Sequence, residues 1–340
     1  MLLILAIIYA ITAGIINGSF AWPTKKTKRW QFEHIWLNYS IWAFFIIPWV
    51  TIFLFAPNVK LVYEQIDSFQ LLLLIIGGLL FGIGQICFAQ ALRLIGLGLA
   101  FVLNIGLGTS LGFLAPLLIL HPEKTLSLFG LATFIGCALI IIGLILSYIA
   151  GKKRDQIKKP HLHPHISKHN YHIGVVLAII AGFFSALQNF VFSATFNLQT
   201  VALNTGLNQL PASIIIWPIF LSFSLVPYFF YMLYLHHKNK SFHIYWHPLS
   251  VINIPISFIM ALFWFGSLVL YSKSSLQIGE LGPVVAWPLF MVWIILTSNF
   301  WGWREKEWEH CPAYVNKMMH KAIALLILAV VILAYSVTLS

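Results

Sequence analysis

The sequence predicts an all-α integral membrane protein of ten transmembrane helices, arranged as two inverted five-helix repeats. Three observations predict it. The first is composition: 60% of the 340 residues are hydrophobic and 9% are charged. A soluble domain carries roughly 25% charged residues, so this chain cannot clothe an aqueous surface. The second is that the apolar residues fall into ten runs of spanning length. The third is a likeness between two of those runs, one in each half.

A helix needs about 20 mostly apolar residues to cross a bilayer. On that criterion helices 1 to 5 cover 2–21, 35–56, 69–92, 96–120 and 125–150. Helices 6 to 10 cover 173–196, 208–235, 251–275, 281–301 and 319–339. The runs are continuous rather than alternating, which favours helices over barrel strands. The opening stretch MLLILAIIYAITAGIINGSF has no basic n-region and outlasts a signal peptide's apolar core, so it reads as helix 1.

Basic residues orient the helices. Seventeen of the 20 Lys and Arg follow odd-numbered helices; the exceptions are Lys60, Lys124 and Lys273. Cations are retained in the cytoplasm during insertion, which places the odd-numbered loops inside and both termini outside. Lys25, Lys26, Lys28 and Arg29 form one such anchor, flanked by Trp22, Trp30 and Trp36 at the interface. The +11 net charge therefore reflects topology rather than nucleic-acid binding. The stretch HLHPHISKHNYH at 161–172 lies in a Lys-rich loop with Asp155 as the one nearby acid, and reads as a solvated linker rather than a metal site. Cys87, Cys137 and Cys311 are far apart, with no metal-ligand spacing. No cofactor is expected.

The repeat is read from AITAGIING at 10–18 against AIIAGFFSA at 178–186, which pairs Asn17 with Ser185. A weaker match sets AQALRLIGLG at 89–98 against SKSSLQIGEL at 272–281, each expected to be a short Gly turn between apposed helices. The halves are 1–150 and 173–340, joined by a linker at 151–172. Five helices per half invert the second half, an arrangement that builds a midplane site opening to either side. Gly82, Gly84, Gly96, Gly98, Gly106, Gly108 and Gly112 are expected to let helices pack closely.

A family resemblance follows from particular residues. Pro23, Lys25, Lys26, Lys28, Trp30, Glu33 and Trp36 resemble the first cytoplasmic loop of L-rhamnose–proton symporters, of the drug/metabolite transporter superfamily. GIGQICFAQALRLIGLGLA at 82–100, GVVLAIIAGFFSALQNF at 174–190 and Lys306-Glu307-Trp308 look similar as well. The resemblance implies the drug/metabolite transporter fold and proton-driven movement of a small hydroxylated solute such as a sugar or deoxysugar across the cell membrane. Leu281-Gly282-Pro283-Val284 departs from it, since members carry a polar, acid-containing stretch entering helix 9. An exporter or exchanger of amino acids, nucleosides or other polar metabolites is the alternative. No nucleophile–base or metal constellation inside the spans suggests an enzyme.

The candidate solute contacts are the polar groups near mid-depth: Asn17, Gln85, Asn104, Thr109, Ser185, Gln188 and Asn189. Amides and hydroxyls pair with a hydroxylated solute at no charging cost. Trp264, Tyr271 and Trp287 could offer a sugar ring an apolar face. Lys273 either faces the cavity or snorkels to the interface. All nine acids sit in loops or at helix ends, so coupling to protons is expected to be weak. Glu33 and Glu280 are the coupling candidates. For Glu33 the plainer expectation is a first-turn partner to the helix 2 dipole. The partners expected are thus a small solute, the lipid bilayer and, through those acids, protons.

Overall fold

A computed structural model describes residues 2–158 and 168–339, and every regular element among them is helical. Ten helices are long and apolar enough to cross a membrane. They are α1 (Leu3–Lys26), α2 (Phe32–Phe55), α3 (Ser68–Ile95), α4 (Val102–Leu120), α5 (Leu128–Arg154), α6 (Asn170–Ala194), α7 (Trp217–Asn239), α8 (Pro248–Ile278), α9 (Gly282–Arg304) and α10 (Ala313–Leu339). The number and order follow the apolar runs. Most of the His-rich stretch 161–172 lies outside the described residues.

Proline moves several ends. The run expected as one helix from 208 is a short helix Gln209–Ser213, a break, and then α7 from Trp217. Pro218 lacks an amide hydrogen, which costs nothing in a first helical turn and breaks the ladder anywhere deeper. Similarly, α10 starts at Ala313, directly after Pro312, rather than at 319. Within α2 a wide π turn covers Trp42–Ile46, with the Ile47 amide bonded to the Trp42 carbonyl. Pro48 leaves the Phe44 carbonyl without its usual amide four residues on, which accounts for a local widening there.

The junction of α3 and α4 corrects the expected Gly turn at 89–98. The backbone is helical throughout Ser68–Ala115, yet the chain reverses between Ile95 and Leu103. Gly84 meets Phe184 and Gly174 meets Ile95, so this limb of α3 runs antiparallel to α6. Gly182 meets Leu103 and Leu107, and Gly108 meets Ser185, so α4 runs parallel to it. At the α8–α9 junction the expected turn is present: Gly279, at φ 98°, occupies a conformation that side-chain-bearing residues rarely adopt.

The chain forms two compact units, each drawing on both halves of the sequence. The first holds residues up to Ile83 together with Val191–Glu280. In it α1 packs along α8, and α2 packs against α7 and α8. The second holds Gly84–Phe190 and the residues from Leu281 onward. In it α5 packs along α10, with Leu333 seated on Gly136 and Leu326 on Gly143.

Candidate functional site

In the first unit, Asn17 of α1 is 7% exposed and donates to the Ser267 hydroxyl of α8 at 2.7 Å. Ser267 in turn donates to the Trp264 carbonyl at 2.6 Å. Trp264, Ser267 and Tyr271 are spaced to share one face of α8. The Trp264 ring meets Phe44 at 5.1 Å and Tyr39 at 6.2 Å. Tyr271 is fully buried beside Phe192, which stacks on Trp217 at 5.2 Å. Lys273 donates to the Tyr9 hydroxyl at 3.2 Å and lies 4.6 Å from that ring's centre. Its ammonium is therefore held by α1. Glu280 is exposed, in the turn after α8.

A second polar cluster in this unit joins the start of α2 to the end of α7. Glu33 is 2% exposed and His34 and His236 are fully buried. The Glu33 carboxylate accepts from Asn239 at 2.9 Å and from the Ser241 hydroxyl at 2.7 Å. It partners the end of α7 in addition to its own backbone amide in the first turn of α2. Ser241, having given its proton to Glu33, accepts from His236 Nδ1 at 3.0 Å. His236 Nε2 then accepts from the Tyr245 hydroxyl at 3.3 Å, and that hydroxyl accepts from Asn38 at 3.1 Å. Burial pushes the Tyr245 hydroxyl well above the usual tyrosine range. Trp30 is not an interface anchor: it is buried against Tyr245 and His34.

Glu33, His34 and His236 place their ligand atoms within 4.8 Å of one another, close enough to share a cation. The hydrogen bonds argue otherwise. His34 Nδ1 accepts the Gln31 amide and its Nε2 donates to the Ser241 carbonyl. Both His236 nitrogens are engaged as described above. With every ring nitrogen spoken for, this is a hydrogen-bond network rather than a metal centre.

In the second unit, Asn104, Gly108 and Gly112 line one face of α4 at intervals of four. Ser185 donates to Asn104 Oδ1 at 3.0 Å. Trp287 donates its indole N–H to the Gly108 carbonyl at 3.1 Å and lies across Gly112, where an added Cβ would come within 2.3 Å of that nitrogen. Asn189, fully buried, donates to the Gly112 carbonyl at 2.7 Å and the Pro283 carbonyl at 3.0 Å. The first bond has a local cause. The residue four after Gly112 is Pro116, which has no N–H to give that carbonyl. Gln188 Nε2 and Thr109 Oγ1 are buried without a hydrogen-bond partner. Gln85 is half-buried on α3.

The structure thus brings Asn104, Ser185, Asn189 and Trp287 together in one unit, and Asn17, Trp264 and Tyr271 along α8 in the other. Sequence reading missed Ser267, His34, His236, Ser241 and Tyr245, and also Gln199, which is fully buried with both amide atoms unpartnered. The one signal for the network was the adjacency of Glu33 and His34.

Comparison with known proteins follows the whole chain. Residues 1–339 match the family model described as L-rhamnose-proton symport protein (RhaT). An L-rhamnose-proton symporter of Yersinia pestis (strain Pestoides F) is 25% identical over 314 residues, covering 90% of each chain. One from Shigella boydii serotype 18 is 25% identical over 321 residues, covering 88% of this chain and 91% of its own.

Proposed function

Because the chain belongs to the L-rhamnose-proton symport protein family, we propose that it carries L-rhamnose or a closely related deoxysugar together with protons. It is a multi-pass membrane transporter of the secondary, symport class and not an enzyme. The single observation that carries the substrate reading is the family match along residues 1–339. A deoxysugar has hydroxyls on its ring and one apolar methyl edge. The unpartnered Gln188 amide and Thr109 hydroxyl suit the former, and buried aromatic faces suit the latter. In the second unit Gln188, Thr109 and Gln85 are the candidate hydroxyl contacts, with Asn104, Ser185 and Asn189 setting the amide geometry; in the first unit the candidate is Asn17. Trp264, Tyr271 and Trp287 supply apolar faces, and Lys273 positions α1 through Tyr9.

The mechanism is alternating access between two inverted halves, 1–150 and 173–340, joined by the 151–172 linker. The pattern of helix partners supports this reading. A twofold relation pairs α1 with α6, α3 with α8 and α5 with α10. It therefore turns the packing of α1 on α8 into that of α6 on α3, and the packing of α5 on α10 into itself. In the cell membrane both termini face outward, as the Lys and Arg distribution suggests.

Purified protein in liposomes loaded with unlabelled L-rhamnose should take up labelled L-rhamnose by counterflow at equal pH on both sides. Competition by other sugars, amino acids and nucleosides ranks the substrates. Absence of counterflow with L-rhamnose, alongside counterflow with an amino acid or nucleoside, would replace the sugar reading with the exchanger.

A further inference from the structure

We propose that the Glu33–Ser241–His236–Tyr245 chain is the proton-binding relay of this transporter, with Glu33 as the group that holds the transported proton. This rests on the symport reading above and adds to it the site of coupling. The expectation of weak coupling came from the lack of a mid-span acid. Of the two coupling candidates at helix ends, Glu33 is the one that the fold buries.

The geometry is that of a polar chain that can run in either direction. As it stands, hydrogen bonds point from Tyr245 to His236 Nε2, from His236 Nδ1 to Ser241, and from Ser241 to Glu33, over distances of 2.7 to 3.3 Å. A proton arriving at the Tyr245 oxygen releases the phenolic proton to His236 Nε2. His236 Nδ1 releases its own to Ser241, and Ser241 releases its own to Glu33 Oε1. One proton enters, each intermediate group ends neutral, and the carboxylate becomes a carboxylic acid. Every bond in the chain has then reversed: Glu33 donates to Ser241, Ser241 to His236 Nδ1, and His236 Nε2 to Tyr245. The Tyr245 hydroxyl, still receiving Asn38, must donate elsewhere.

The surroundings favour this. The titratable groups facing Glu33 are His34 from its own helix, His236 from α7 and Tyr245 from the following turn, with His243 next nearest to His34. Among the described residues Glu33 forms no ion pair, so no Lys or Arg fixes its charge. Its carboxylate is held by an amide, a hydroxyl and its own backbone amide, with the His34 ring beside it, and a buried imidazolium at His236 is costly unless its proton moves on to such an anion. His34 cannot compete for the proton, because the Gln31 amide occupies its free nitrogen. The residues flanking Tyr245 in sequence, His243, Ile244, Trp246 and His247, line a hollow of about 400 Å³ together with Arg29 and Pro248. The relay links α2 to α7, so loading the proton alters the tie between two helices.

The test uses the full chain in liposomes and compares wild type with Glu33→Gln, His236→Gln and Ser241→Ala. Under an inward proton gradient, wild type should concentrate labelled L-rhamnose. Glu33→Gln should only equilibrate it, while retaining counterflow at equal pH within about twofold of wild type. Ser241→Ala, which leaves Glu33 in place and cuts the chain, should slow gradient-driven uptake more than counterflow. His236→Gln, which keeps side-chain hydrogen bonds but cannot pass a proton on, should do the same. Undiminished accumulation by Glu33→Gln overturns the relay and leaves the transport reading intact. If wild type shows no L-rhamnose counterflow, the sugar reading fails instead, and a solute-free infrared titration decides the relay. A carboxylic-acid band that grows on acidification and is missing from Glu33→Gln supports it; the same band persisting in that variant overturns it. If Glu33→Gln does not fold, equal slowing of gradient-driven uptake and counterflow in both other variants also counts against it.

Discussion

The two units each bury a polar centre, and the centres differ in kind. Around Glu33, beside the Asn239 amide, a chain runs through a hydroxyl, an imidazole and a phenol, groups that can give and take protons. Around Gly112 they are an amide, an indole and backbone carbonyls, whose donors can only donate and whose carbonyls can only accept. The first network can reverse; the second cannot. A carboxylate elsewhere in the second unit makes the same point. Glu307 is 43% exposed and meets Arg154 at 2.8 Å, with that guanidinium also stacked on Trp308. An arginine keeps its charge at every working pH, so this pair is a clamp. The lesson is that the partner, more than the depth, decides whether an acid can carry a proton.

The largest effect expected from the fixed centre is that of Asn189→Ala. It strips donors from two buried carbonyls, one of which has no helical amide because of Pro116. Orphaning the Gly112 carbonyl costs about 1–3 kcal/mol and losing the bond to Pro283 about 0.5–1.5 kcal/mol, so a fall of roughly 1.5–4.5 kcal/mol is expected. Neither amide nor carbonyl titrates, so the drop in Tm should be the same across about pH 6 to pH 8, where histidine changes charge. Thermal unfolding in detergent at several pH values checks it. A penalty that varies with pH would erase the contrast between the centres.

A smaller effect is expected where the fixed centre is tightest. Gly112→Ala places a methyl group 2.3 Å from the Trp287 indole nitrogen. Overpacking of this kind costs about 1–3 kcal/mol. Trp287→Leu in the same chain should recover part of it, since the methyl then meets a smaller and more flexible neighbour. A double-mutant cycle on Tm measures the recovery. Strict additivity would mean that the two residues are not pressed together as described.

How much of this was legible beforehand depended on the range of the cause. The ten helices were readable because a bilayer demands a local property, apolar length, and the chain displays it run by run. The prolines that moved the start of α7 and the start of α10 were equally visible, but their effect on a boundary needs the helix ladder to be traced. The reversal between α3 and α4 was readable, but the helical backbone through it was not, since Gly-rich sequence serves a bend and an open turn alike. Among the site residues, Asn17, Asn104, Ser185 and Asn189 stood out as polar groups in apolar runs. His236 and Ser241 did not: they follow a spanning run, and their charge pattern is that of a basic loop. Only the fold, by setting the end of α7 against the start of α2, makes them partners of Glu33 some 200 positions away.

The smallest expected effect sharpens the comparison from the reversible unit. Asn17 donates to Ser267, which itself donates to the Trp264 carbonyl, so Asn17→Ala leaves the serine with a partner. Its cost in stability should therefore be small, whereas Asn189→Ala abandons the Gly112 carbonyl, which has no helical amide because of Pro116. What Asn17→Ala does remove is a buried amide on Ser267, one turn along α8 from Trp264. One hydrogen bond to a neutral solute is worth about 0.5–1.5 kcal/mol, so L-rhamnose affinity should weaken by roughly 2- to 13-fold. Binding and melting measured on the same two variants decide the assignment. Affinity lost with Tm nearly kept marks Asn17 as a solute contact. The opposite pattern, a lowered Tm with unchanged affinity, would make Asn17 a helix tie like Asn189 and remove it from the site.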